Sequence, residues 1–70
     1  MVTTTQAEDL RQRRERLYVT RGRLAALTQI SPAHITQIEQ GYRPRRGDAV
    51  DRIDQALTEL ERTADQLEAA

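Results

Sequence analysis

The chain contains no cysteine, phenylalanine, tryptophan or lysine. Without cysteine it can form neither a disulfide nor a thiolate metal site, which fits a reducing compartment. Tyr18 and Tyr42 are the only aromatics, so the core must come from Leu, Ile, Val and Ala. At 70 residues and 37% apolar content, that core sits near the lower limit of self-sufficiency, where a partner subunit is often needed. No apolar run approaches a membrane span or a signal-peptide core. The expectation is a soluble, cytoplasmic protein with no membrane partner. His34 is the only histidine, which leaves no spaced set of metal ligands. A nucleophile–base pair and a glycine-rich phosphate loop are also missing. No enzymatic activity, metal or cofactor is expected.

The net charge is zero, but its distribution is uneven. Residues 1–47 hold nine arginines against Glu8, Asp9, Glu15 and Glu39, a balance of +5. Residues 48–70 hold Arg52 and Arg62 against seven acids, a balance of −5. A chain polarised in this way can set a basic face on DNA with its acidic end directed away.

Local signals divide the chain into helices. Thr5 with Glu8 three residues on is a capping box that starts a first helix near Gln6. Leu10, Arg14 and Leu17 share one face of it with Ala7, and residues 1–5 are expected to be mobile. Thr20 is a good N-cap for a second helix over about Arg21–Thr28, with Leu24, Ala25 and Leu27 as its packing surface. Ser31-Pro32 opens a third, because proline's missing N–H is not needed at the first helical position. That helix runs to Gln40, and Gly41 stops it. Only Gln29 and Ile30 separate the second helix from the third one's cap, as a helix-turn-helix requires. After an arginine-rich loop, Asp48 caps a fourth helix reaching about Glu68, roughly 30 Å long.

On the third helix Ile35 and Ile38 fall together and face the core. The opposite face carries Ala33, Thr36, Gln37 and Gln40, with Ser31, Pro32 and His34 at its N-terminal end. This small, polar, acid-free surface can enter a major groove, where Gln matches the edge of adenine and a methyl group can meet thymine. An ordinary solvated face would have the same composition. Arg21 and Arg23 at the second helix's start, and Arg43, Arg45 and Arg46 after the third, are suited to phosphate. Arg11, Arg13 and Arg16 read as a solvated face, and His34 as a phosphate contact or surface residue. Arg14 interrupts an apolar stripe, where an isolated buried charge is costly. Pairing with Glu39 would satisfy it and lock the third helix to the first.

From Leu10 to Leu57, about two-thirds of the chain, the sequence resembles the phage repressor and Cro type of helix-turn-helix domain, also described as xenobiotic-response-element-like. Arg14, Thr20, Leu24-Ala25, Ile30-Ser31, Ile35, Ile38, Glu39 and Gly41 carry the resemblance. It implies that Pro32, Ala33, Thr36 and Gln37 face bases and that Arg14 and Glu39 pair. It also implies that the start of the second helix holds phosphate. Three positions depart from the pattern: Arg21 stands where Gln is usual, Gln29 where Gly is usual, and Pro32 replaces a residue that often bonds a base.

On the fourth helix Val50, Ile53, Leu57, Leu60, Ala64 and Leu67 recur at steps of three and four. Val50, Ile53 and Leu57 can be covered by the helix-turn-helix itself. Leu60, Ala64 and Leu67 lie past its expected reach, so a dimer interface is expected around Leu57, Leu60, Ala64 and Leu67.

The whole reads as an all-α bundle of four, or five, helices. It divides into residues 1–5, a DNA-binding domain over 6–57 and a dimerising extension over 58–70. The expected function is a Cro-like or repressor-like homodimer on a palindromic operator in double-stranded DNA. No ligand-sensing or cleavage domain is expected alongside it. Two alternatives stand beside it: an antitoxin of the same fold that also binds a toxin protein, and a helical interaction module that does not bind DNA.

Overall fold

The computed structural model describes the backbone of residues 6–69 and the side chains of residues 8–67. Four helices follow in order: α1 (Gln6–Arg16), α2 (Arg21–Thr28), α3 (Pro32–Glu39) and α4 (Ala49–Ala69). Among the described residues there is no strand and no fifth helix. The expected cap at Thr5 and the expected mobility of residues 1–5 lie outside the described residues, as does the side chain of Ala7.

Each short helix starts and stops for a local reason. The Thr20 hydroxyl accepts from the Arg23 backbone N–H at 3.1 Å, and the Ser31 hydroxyl accepts from that of His34 at 3.1 Å. Each cap satisfies a donor that the helix's first turn leaves without a partner. At their C-termini the helices turn into left-handed backbone. α3 closes through Gly41 (φ 109°), with Tyr42 N–H on the Gln37 carbonyl and Gly41 N–H on that of Ile38. α1 ends in the same Schellman pattern, with Tyr18 (φ 56°) at the left-handed position instead of glycine. α2 ends on Gln29 (φ 60°), whose N–H bonds the Ala25 carbonyl at 2.7 Å. Holding a residue with a side chain in this region costs about 1–2 kcal/mol. At α4 the Asp48 carbonyl accepts from Arg52 N–H at 2.8 Å.

α3 packs on α1 and α2, and α4 packs on the same two helices from elsewhere. Leu10, Leu24, Ile35, Ile38, Ile53 and Leu57 are fully buried, with Val19, Ala25 and Ile30 completing the cluster. Burying each large aliphatic side chain stabilises the fold by about 1.5–3 kcal/mol. The buried Thr28 hydroxyl donates to the Leu24 carbonyl at 2.7 Å, so it sits in the core satisfied. Arg52 on α4 reaches the Thr28 carbonyl and ties α4 to the end of α2.

Three sequence expectations need correction here. Leu27 is not part of the packing surface of α2: it is 52% exposed, because Leu24 and Ala25 already define the inward side of an eight-residue helix. Leu57 is not available to a second subunit, since its side chain is completely buried in its own core. Leu60, expected beyond the core's reach, is partly buried against it. α4 extends far enough along α1 and α2 to place both leucines over the bundle.

Arg13 is corrected as well. It does not belong to a solvated face; its side chain is only 15% exposed. Its guanidinium reaches across to α4, donating to Asp54 at 2.6 Å, to Thr58 at 3.1 Å and to both carboxylate oxygens of Glu61 at 2.8 and 3.2 Å. Hydrogen bonding to Glu61, more than the burial that opposes it, holds the Arg13 pKa above its already high ordinary value. Arg11, by contrast, faces solvent in a pair with Glu15 at 3.2 Å.

Candidate nucleic-acid interface

α2 and α3, joined through Gln29, Ile30 and Ser31, place a short helix with two chemically distinct sides on the bundle. The inner side of α3 presents Ile35 and Ile38, both fully buried, and Glu39. The outer side presents Pro32, Ala33, Gln37 and Gln40 to solvent, with Thr36 half-buried. The Thr36 hydroxyl donates to the Pro32 carbonyl at 3.0 Å, which leaves its methyl group and lone pairs for other contacts. Ser31 is exposed, and its hydroxyl caps the helix. No acidic group stands on this outer side, and uncharged amides and methyl groups are what base edges match.

Beneath it, Glu39 is the fixed point. Arg14 donates through Nε to Glu39 Oε2 at 2.6 Å and through Nη2 to Oε1 at 3.2 Å. The remaining Arg14 amino group donates to the Val19 carbonyl at 3.0 Å. Both residues are buried, and a buried charge is tolerable only with this degree of compensation. Arg21 adds a third partner, its Nε donating to Glu39 Oε1 at 2.9 Å. One carboxylate thus joins α1, the first residue of α2 and the last of α3. The sequence pointed to Arg21 as a phosphate ligand and did not indicate this bond. The available signal was that a carboxylate has acceptor capacity beyond what one guanidinium uses.

The other arginines divide into two groups. Arg43 folds back, donating to the Ile38 carbonyl at 3.0 Å and the Tyr42 carbonyl at 2.8 Å. It thereby caps the C-terminus of α3, where a cation is favoured by the helix dipole. Among the described residues Arg23, Arg45 and Arg46 make no ion pair, and all three are exposed. His34 is half-buried with its ring centroid 6.1 Å from that of Tyr42, and its Nε2 is buried without a hydrogen-bond partner. That atom does not face solvent, although the residue keeps part of its surface exposed. Tyr18, which no functional reading of the sequence included, is 94% exposed at the α1–α2 turn.

Along α4, Leu57 and Leu60 turn to the core, Ala64 is half-buried and Leu67 is 74% exposed. The division expected between residues 57 and 58 falls inside this one continuous helix. Among the described residues no group of three or more His, Asp or Glu side chains is arranged to hold a metal, and no helix is long and apolar enough to cross a membrane.

Comparison with known proteins places this geometry. A helix-turn-helix domain family matches residues 7–67, from the first turn of α1 to near the end of α4. No curated protein and no solved structure gives a significant match. Nearly the whole chain fits the family and α2–turn–α3 lies at the centre of the match, so the chain belongs to the helix-turn-helix domain family.

Proposed function

We propose that this protein is a sequence-specific DNA-binding regulator of transcription, acting as a Cro-like or repressor-like protein that blocks a promoter by occupancy. The observation that carries the reading is the two-sidedness of α3. Its inner side is anchored by Ile35, Ile38 and Glu39, while Pro32, Ala33, Gln37 and Gln40 project outward. A rigidly held helix with an uncharged polar outer side suits the major groove. Arg23, Arg45 and Arg46, exposed and without acidic partners, supply the phosphate contacts that fix its register. The acidic distal part of α4 points the charge asymmetry of the chain away from DNA.

A second copy of the chain, covering Ala64 and Leu67, completes the proposal. Leu57 and Leu60 belong to the bundle, so the seam is confined to the distal turns of α4. A two-fold pair would set two α3 helices in successive major grooves about 34 Å apart and call for a palindromic site.

Selection of bound sequences from random duplex DNA tests the reading and reports half-site spacing directly. If the dimer makes six to ten phosphate contacts, its affinity falls by about 10³–10⁵ between 50 and 200 mM salt. A titration insensitive to salt, or a selection that enriches no sequence, would overturn it.

A further inference from the structure

Glu39 does more in this fold than neutralise Arg14. We infer that it is a positioning residue for Arg21, holding that guanidinium by one edge so that its other edge forms a preset clamp for a backbone phosphate. The inference rests on the DNA-binding reading above.

The geometry separates the two arginines on the same carboxylate. The Arg14 side chain is 10% exposed and uses all three of its nitrogens inside the protein, on both Glu39 oxygens and on the Val19 carbonyl. The Arg21 side chain is 42% exposed and uses only its Nε. Its two terminal amino groups make no bond among the described residues. A guanidinium is planar, with a fork of N–H groups that matches phosphate bidentately. Tethering it through Nε fixes the plane and leaves the fork open. An arginine already held in this way has lost rotamer freedom that a loose one would lose on binding. Arg23, Arg45 and Arg46 have no such tether.

Charge points the same way. Two guanidiniums share one carboxylate, so the Arg14–Glu39–Arg21 group carries one positive charge in excess, and Arg21 is its exposed member. A phosphate on the open fork completes the compensation. Lysine cannot substitute, because a single ammonium on a flexible stem lacks separate edges for the carboxylate and the phosphate.

Two measurements on the full chain test this. In nitrogen-15 NMR of the free protein, the Arg21 Nε–H should exchange with water markedly more slowly than that of Arg45. The bond should also survive addition of random-sequence duplex DNA. In binding titrations with that duplex, Arg21→Lys should lose about tenfold or more in affinity per subunit, nearly as much as Arg21→Ala. Arg45→Lys should lose markedly less than Arg21→Lys, because an untethered phosphate contact tolerates an ammonium in place of a guanidinium, and melting curves should show all three variants folded. Equal exchange at Arg21 and Arg45, or an Arg21→Lys protein that binds as well as the original, overturns the positioning role and leaves the DNA reading standing. Failure of the unsubstituted chain to bind any duplex overturns the DNA reading, and the proposed clamp with it.

Discussion

Replacing Glu39 with alanine tests how much of the fold depends on one carboxylate. The substitution leaves Arg14 in a site where its side chain is 10% exposed, with only the Val19 carbonyl as a partner. Removing one member of a buried ion pair typically costs about 3–5 kcal/mol, because the surviving charge is left desolvated and uncompensated. A domain of this length has a total stability of roughly 3–10 kcal/mol, at 0.05–0.15 kcal/mol per residue. Glu39→Ala should therefore consume much or all of it. At about 4–8 °C per kcal/mol, the melting temperature should fall by at least about 12 °C. Replacing Arg14 and Glu39 together by methionine removes both charges, fills similar volume and should be clearly milder than Glu39→Ala alone. It still orphans the Val19 carbonyl, a loss of about 1 kcal/mol. Thermal and urea unfolding of Arg14→Met, Glu39→Met and the double variant, followed by far-ultraviolet circular dichroism, supplies the double-mutant cycle. A coupling energy below about 0.5 kcal/mol would refute the reasoning, since it would mean that the pair is hydrated in solution.

Three further outcomes are expected. Gln37→Ala should cost roughly 1–3 kcal/mol on the selected site and relax the preference at one base position, whereas Arg45→Ala should weaken all duplexes alike; identical profiles in a binding-site selection would deny Gln37 a reading role. Arg13→Met should remove the cross-links to Asp54, Thr58 and Glu61 and speed amide hydrogen exchange in the distal part of α4 with a stability loss of about 1 kcal/mol; unchanged exchange there would show that apolar packing alone holds α4. Leu67→Glu should leave the melting curve nearly unchanged yet shift sedimentation toward the monomer; a monomeric unsubstituted protein at high micromolar concentration would remove the proposed second copy.

The elements most legible in the sequence are those governed by chemistry within a few residues. Thr20 and Ser31-Pro32 mark helix starts because a hydroxyl must meet an N–H two or three positions on, and α2 and α3 begin immediately after them. Gly41 marks a stop for an equally local reason, and Gln29 takes the left-handed turn that its place between helices demands. What escaped the sequence depends on where helices cross. Leu24, Ala25 and Leu27 are equivalent as apolar residues on a two-turn helix, and only the directions of α3 and α4 leave Leu27 outside. Arg13 resembles Arg11 and Arg16 in every local respect, yet its partners lie 41 to 48 positions away. The same holds for Leu57 and Leu60: helical spacing identifies the stripe, but the extent of α1 and α2 beneath it decides where the chain's own cover ends. At the candidate interface the outward residues of α3 followed from helical projection. The inward turn of Arg43, the buried Nε2 of His34 and the tether on Arg21 depend on side-chain directions that residue type and spacing do not set.

The separation of duties on α3 has a consequence for how such a protein can change over time. Ile35, Ile38 and Glu39 are buried, while Ala33 and Gln37 on the same eight-residue helix and Gln40 at its C-cap lie in solvent, and the two sets share no member. Substitutions at surface positions with no packing role usually alter stability by less than about 0.5 kcal/mol. Variation at positions 33, 37 and 40 is thus nearly free of any folding constraint, and under the proposed DNA-reading role drift there would move the protein between targets without passing through an unfolded ancestor. On that reading a duplicated gene would let each copy acquire its own preference on an unchanged scaffold. The same property would make these three positions the natural ones to randomise when a new specificity is sought.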